Sequence, residues 1–192
     1  MAAKSSSGTT PAKSVAKKDS AKSTAKTASK PAAATKASDG PQASDVAPAF
    51  KRAGAGGEKL SLAAFKGKKV ALYFYPKDDT SGCTKEAIEF NDLRNAFTKA
   101  DTVVVGMSPD SVKSHDKFRE KYGLTFPLAA DEEKETLLAD GVWVEKSMYG
   151  RKYMGVERST FLIDAKGRIA QVWRKVKVPG HAEEVLAAAR AL

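Results

Sequence analysis

Six consecutive apolar residues, Val70-Ala-Leu-Tyr-Phe-Tyr75, followed at once by Pro76, constrain the fold of this chain more than any other feature. A strand with one wet face alternates apolar and polar side chains. A strand apolar at every position is buried on both faces and needs a covering layer on each side. Pro76 removes a backbone donor and ends the strand there. Thr102 to Met107 repeats the pattern, and Phe126 to Ala129 reads as a shorter strand. Between them lie helical stretches. One runs from Cys83 to about Lys99, with Ala87, Phe90, Leu93 and Phe97 at three- and four-residue spacing. A second starts after the Ser108-Pro109-Asp110 turn and is closed by Gly123, and a third spans about Glu133 to Ala139. Residues 140–157 show no period and read mostly as loop. Ser159–Ile163 and Ile169–Trp173 flank Asp164-Ala-Lys-Gly167, a hairpin signal, and a last helix begins near Ala182. Strands alternating with helices, then a hairpin and a helix, predict an α/β domain with a mixed central sheet and helices on both faces.

The domain does not take up the whole chain. Residues 1–44 are almost entirely Ala, Lys, Ser, Thr, Pro and Gly, with Val15 the only large aliphatic and no aromatic. Such a segment buries too little apolar surface to offset the entropy of ordering, so a disordered basic tail (1–44) preceding a folded domain (45–192) is expected. The charge divides the same way: residues 1–52 carry nine Lys and one Arg against three Asp, whereas residues 53–192 carry 23 Lys and Arg against 20 Asp and Glu. A single cysteine excludes an internal disulfide framework. No apolar run is long enough to span a bilayer, and the N-terminus has no apolar signal segment. A cytoplasmic, bacterial-type setting fits these features, without excluding the nucleus or an organelle.

That cysteine, Cys83, falls beyond the carboxyl end of the Val70–Tyr75 strand and in the first turn of the next helix. In open α/β sheets, ligands bind at such strand ends. A free thiol titrates at about 8.5, and the unpaired N–H groups of a helix start lower a cysteine by roughly one to several units. A drop of two units corresponds to about 2.7 kcal/mol of preference for the anion. Gly82 admits close backbone approach, and the Thr80 hydroxyl lies three residues upstream. Many lone cysteines are nevertheless small, inert core residues, and placement alone leaves both readings open.

The segment YFYPKDDTSGCTKEA, Tyr73 to Ala87, resembles the active-site segment of the peroxiredoxins, in particular the peroxiredoxin Q or bacterioferritin comigratory protein group. Pro76, Thr80 and Cys83 meet that family's Pro-x-x-x-Thr-x-x-Cys pattern. The likeness continues through VVVGMSPD (Val103 to Asp110), YGLTFPL (Tyr122 to Leu128), GVERSTFLID (Gly155 to Asp164) and KVKVPGHAEEVL (Lys175 to Leu186), and covers about Val46 to Leu192. The resemblance implies a thioredoxin-like fold and a peroxidase acting on hydrogen peroxide and organic hydroperoxides, with no cofactor and no metal. It puts Cys83 in the place of the peroxidatic cysteine and Arg158 in that of the active-site arginine. Thr80 would bond thiolate and peroxide, and Pro76 would shield the site from water. Many members of this group carry a resolving cysteine five residues after the first; here that position is Ile88. The implied sulfenic acid then needs an external thiol: thioredoxin, glutaredoxin, glutathione or another small thiol. Two smaller departures are Ser81 where the group usually has Pro, and Ala49 where an acidic residue is common.

Other readings fare less well. A thioredoxin-type reductase needs C-x-x-C, and the positions three away from Cys83 are Thr80 and Glu86. His115, His181 and Cys83 lack metal-ligand spacing; His115 reads as solvated on a polar helix, His181 as a surface residue, and Trp143 and Trp173 as packing residues. The alternative of another class is a nucleic-acid-associated protein that makes weak, salt-sensitive contacts through residues 1–44, with the thiol as a redox sensor. A monomer or weak dimer is expected.

Overall fold

The structure, a computed structural model, describes residues 40–192. The expected disorder of the tail therefore falls, for residues 1–39, outside the described residues. Within them, β1 (Lys51–Gly54) and β2 (Lys59–Ser61) precede the central β3 (Lys69–Phe74), which leads to α1 (Ser81–Asp92) and α2 (Arg94–Lys99). Then come β4 (Thr102–Ser108), α3 (Val112–Tyr122), β5 (Leu128–Ala130) and α4 (Glu135–Ala139). The ribbon β6 (Trp143–Met148) and β7 (Arg151–Val156), the hairpin β8 (Ser159–Ile163) and β9 (Ile169–Trp173), and α5 (His181–Ala191) complete the chain.

Seven strands form one mixed sheet in the order β2-β1-β5-β4-β3-β8-β9. The β3–β4 and β4–β5 pairs are parallel, and β3–β8, β8–β9, β1–β5 and β1–β2 are antiparallel. This is the mixed α/β architecture that the strand and helix order implied, and it agrees with the thioredoxin-like fold that the family resemblance implied.

The two-sided burial of β3 follows its period of two. Ala71, Tyr73 and Tyr75 pack on one face with Phe90, Phe97, Phe118 and Val185, from α1, α2, α3 and α5. Val70, Leu72 and Phe74 pack on the other with Val105, Met107, Leu137, Val142 and Phe161. Phe90 and Phe97 are fully buried, each contributing roughly 1.5–3 kcal/mol. The second face holds less helix than expected: the five-residue α4, assisted by the arm through Ala47 and Phe50. Gly106 is required where it stands. A Cβ there would sit 2.8 Å from the Tyr73 hydroxyl, so its absence lets the Tyr73 ring cross β4 and stack on Phe90 at 4.7 Å.

Several expectations are corrected. The helix of the active-site segment starts at Ser81, with Thr80 in the N-cap position but making no side-chain cap bond, and breaks at Leu93, where ψ is 0°. The apolar period runs unbroken across that residue, so the sequence gives no sign of the break. Residues 140–157 are mostly ribbon, not loop. Among the described residues its strands pair only with each other, and they bury little, so no apolar alternation betrays them. Its turn, Tyr149 and Gly150, has φ of 51° and 75°, the sign pattern of a tight hairpin turn. His115 and His181 are buried, not solvated; their partners are described below. Ser44 is already joined to the fold, its N–H donating to the Ile169 carbonyl at 2.7 Å.

Candidate active site

Cys83 is the third residue of α1 and is 2% exposed. Strand β3 delivers the chain to this point: Pro76 ends it, and the polar loop through Thr80 turns into the helix. The sulfur's partner comes from far along the sequence. Arg158 lies in the two-residue step between β7 and β8, and β8 is the antiparallel neighbour of β3. Its Nη2 donates to Cys83 Sγ at 3.2 Å. Its Nη1 is paired with the Glu86 carboxylate through Oε2. Buried Cys83 and buried Glu86 are thus joined through the half-buried Arg158 between them.

Sequence reasoning missed Glu86. One turn after Cys83, on the same face of α1, its side chain is 1% exposed and its Oε1 has no partner among the described residues. Burial pushes this carboxyl up to about 7, although the Arg158 charge pulls it back; Glu89 adds a smaller push. Arg158 is held above its ordinary value. Burial opposes its charge, but the neighbouring Glu86 and Cys83 outweigh that. Tyr73 places a second buried polar atom nearby, a hydroxyl without a partner among the described residues. Burial, then Glu86 and Cys83, raise it well above 10, so it stays a phenol. One signal for Glu86 was available: an acid on the stripe that also carries Ala87 and Phe90.

The remaining expected site residues are less engaged. Thr80 is the N-cap of α1, is exposed, and donates its hydroxyl to the Lys77 carbonyl at 3.2 Å. The structure does not bring that hydroxyl into a bond with Cys83. Pro76 is half-buried at the end of β3. Gly82 is not sterically demanded, because a Cβ would meet Arg158 Nη2 at an ordinary 3.6 Å.

His181 sits behind the site. Its Nε2 and the Thr160 hydroxyl of β8 share a 2.8 Å hydrogen bond, and its ring meets Phe90 and Trp173 edge-on. Burial drops it to about 4, against an upward pull from Glu184, and the Arg158 charge adds to the drop. The ring is therefore neutral near pH 7 and serves packing. His115 is fully buried and bonded to Asp78 at 2.8 Å. Its place on one stripe with Phe118 and Tyr122 was the signal that it points inward.

A cysteine in the first turn of a helix, buried at a strand end and bonded by a guanidinium, is an arrangement for thiol chemistry on a small electrophile. Comparison with known proteins gives the same chemistry a family. The AhpC/TSA family profile matches residues 43–172. The chain belongs to the AhpC/TSA family. As a peroxiredoxin of the Bcp and peroxiredoxin Q group, it is a thiol peroxidase. It is 54% identical over 140 residues to "Putative peroxiredoxin bcp" of Coxiella burnetii, spanning 73% of this chain and 93% of that protein. It is 49% identical to "Peroxiredoxin Bcp" of Bacillus subtilis, spanning 73% of this chain and 89% of that one. Among solved structures, Xanthomonas campestris Peroxiredoxin Q superposes with a TM-score of 0.71 at 48% identity, covering 74% of this peroxiredoxin and 90% of its counterpart.

Proposed function

We propose that Cys83 is the peroxidatic cysteine of a one-cysteine cycle that reduces hydrogen peroxide and organic hydroperoxides at the expense of an external thiol. The observation that carries this reading is the 3.2 Å contact between Arg158 Nη2 and Cys83 Sγ in a chain with no second cysteine. Cys83 attacks the terminal peroxide oxygen as the thiolate; the S–O bond forms as the O–O bond breaks. The departing oxygen takes a proton and leaves as water or an alcohol, and the sulfur becomes a sulfenic acid. The guanidinium N–H groups are fixed donors beside the sulfur, suited to the charge that shifts onto the peroxide oxygens. Glu86 holds the other edge of the guanidinium. Thr80 contributes its hydroxyl to the bound peroxide after releasing the Lys77 carbonyl, and Pro76 walls the site from water.

The sulfenic acid condenses with one external thiol, losing water and forming a mixed disulfide; a second thiol displaces Cys83 and carries away the disulfide. Thioredoxin, glutaredoxin and low-molecular-weight thiols all supply that chemistry. With Cys83 only 2% exposed, the start of α1 opens to admit the reducing thiol. The test is peroxide consumption with each of these reductants in turn. The parent chain turns over with at least one of them, and Cys83→Ser with none. Consumption by Cys83→Ser would rule the assignment out.

A further inference from the structure

Asp78 lies in the loop between β3 and α1, five residues before Cys83, and has no part in the cycle above. It is nonetheless 6% exposed and its carboxylate gathers three side chains. Tyr75 donates its hydroxyl to Oδ1 at 2.8 Å. Ser114 donates to Oδ2 at 2.7 Å, and His115 Nδ1 hydrogen-bonds the same oxygen at 2.8 Å. Burial, with Tyr73 and Asp78 adding to it, keeps Tyr75 far above its ordinary value, so it remains a donor.

The imidazole is held from its other side as well. Nε2 lies 3.2 Å from the Ala129 carbonyl in β5, an oxygen that can only accept. The ring is a strut between the sheet and the loop, and it is fully buried. The loop has further ties to the same quarter. Its Asp78 N–H donates to Asp110 Oδ2 at 2.8 Å, just before α3. Asp79, at a φ of 56°, accepts from Lys121 and Tyr122 at the end of α3. Beyond Tyr75, whose N–H reaches the Met107 carbonyl, the chain leaves the sheet, and side chains hold the loop. A buried carboxylate with three partners is costly to leave half-satisfied, so the geometry of the loop depends on the ring.

We propose that His115 is a positioning residue for Cys83: through Asp78 it locks the loop that starts α1, and so fixes the sulfur against Arg158. This rests on the reading of Cys83 as the peroxidatic residue. The two ring nitrogens allow a test that a merely structural role does not satisfy. An Asn amide nitrogen reproduces Nδ1, the atom facing Asp78, whereas a Gln amide nitrogen reproduces Nε2, the atom facing Ala129. The rate constant of Cys83 with peroxide is measured for His115→Asn, His115→Gln and His115→Leu beside thermal midpoints. The Asn variant keeps the parent rate within about threefold, and the Gln and Leu variants lose about tenfold or more, the scale on which small displacements of reacting groups act. Gln and Leu variants as fast as the parent would overturn the proposal. So would an Asn variant as slow as the Gln variant, with rates following thermal stability alone. If the Leu variant does not fold, the Asn and Gln pair carries the comparison. Cys83→Ser is run alongside: its retained activity refutes the underlying assignment, and its inactivity leaves a negative His115 result to count against this inference alone.

Discussion

Arg158 divides its guanidinium between two partners of opposite use. One edge is paired with the Glu86 carboxyl, and the other donates to the sulfur of Cys83 at 3.2 Å. A lysine ammonium carries the same charge without the planar fork and cannot hold both groups in this geometry. Arg158→Lys is therefore expected to slow the reaction of Cys83 with peroxide by about a hundredfold, the usual cost of losing a donor aimed at developing charge. Stopped-flow measurement of sulfenic acid formation checks this; a rate near that of the parent would show that the fork is dispensable. Glu86 marks the limit of reading residues singly. It stands on an apolar stripe where an acid needs a partner, but the partner is 72 residues away and only the fold brings it there.

At the level of elements, legibility followed burial. Strand β3 was evident because each of its faces is covered, and the β8–β9 hairpin because Asp164 and Gly167 supply its turn, with Asp164 accepting from the Lys166 and Arg168 N–H groups. The ribbon β6–β7 was illegible because solvent meets both its faces. His115 was misread because α3 is polar except along the stripe it shares with Phe118 and Tyr122, and Asp78, its partner, sits in a loop of unremarkable composition. The short α4 carries a testable liability at its C-cap. Asp140 is 2% exposed, its Oδ2 has no partner, and burial pushes its carboxyl from 3.8 up to about 7. The Arg174 charge opposes this, and Asp131 adds to it. A carboxyl raised on folding is fully compatible with the native state below its unfolded value, and its cost grows as pH climbs from there to the folded value and then levels off. Asp140→Asn is thus expected to come close to the parent near pH 4 and to exceed it at pH 8 by up to about 4 kcal/mol. Chemical denaturation at the two pH values decides; a difference independent of pH would contradict the account.

The whole chain joins a nearly balanced domain to a strongly basic leading segment, with ten of its 33 Lys and Arg in residues 1–52 against three acids there. Spaced lysines neutralise phosphates without reading sequence. Any mobility shift of DNA is expected to need residues 1–44 and to fade as salt rises; equal shifts by the full chain and a chain lacking those residues would locate binding in the domain instead. The proposed cycle is also a property of the whole molecule: in it, the single cysteine begins the peroxidase cycle and an external thiol closes it. Ile88, 38% exposed on α1, stands at the position where the family resemblance led one to expect a second sulfur. Intact-mass spectrometry after one equivalent of peroxide, with no thiol present, tests this most directly. A chain heavier by one oxygen, about 16 Da, is expected, with the oxygen carried on Cys83 as a dimedone-reactive sulfenic acid. An unmodified Cys83 in a sample that has consumed the peroxide would contradict it.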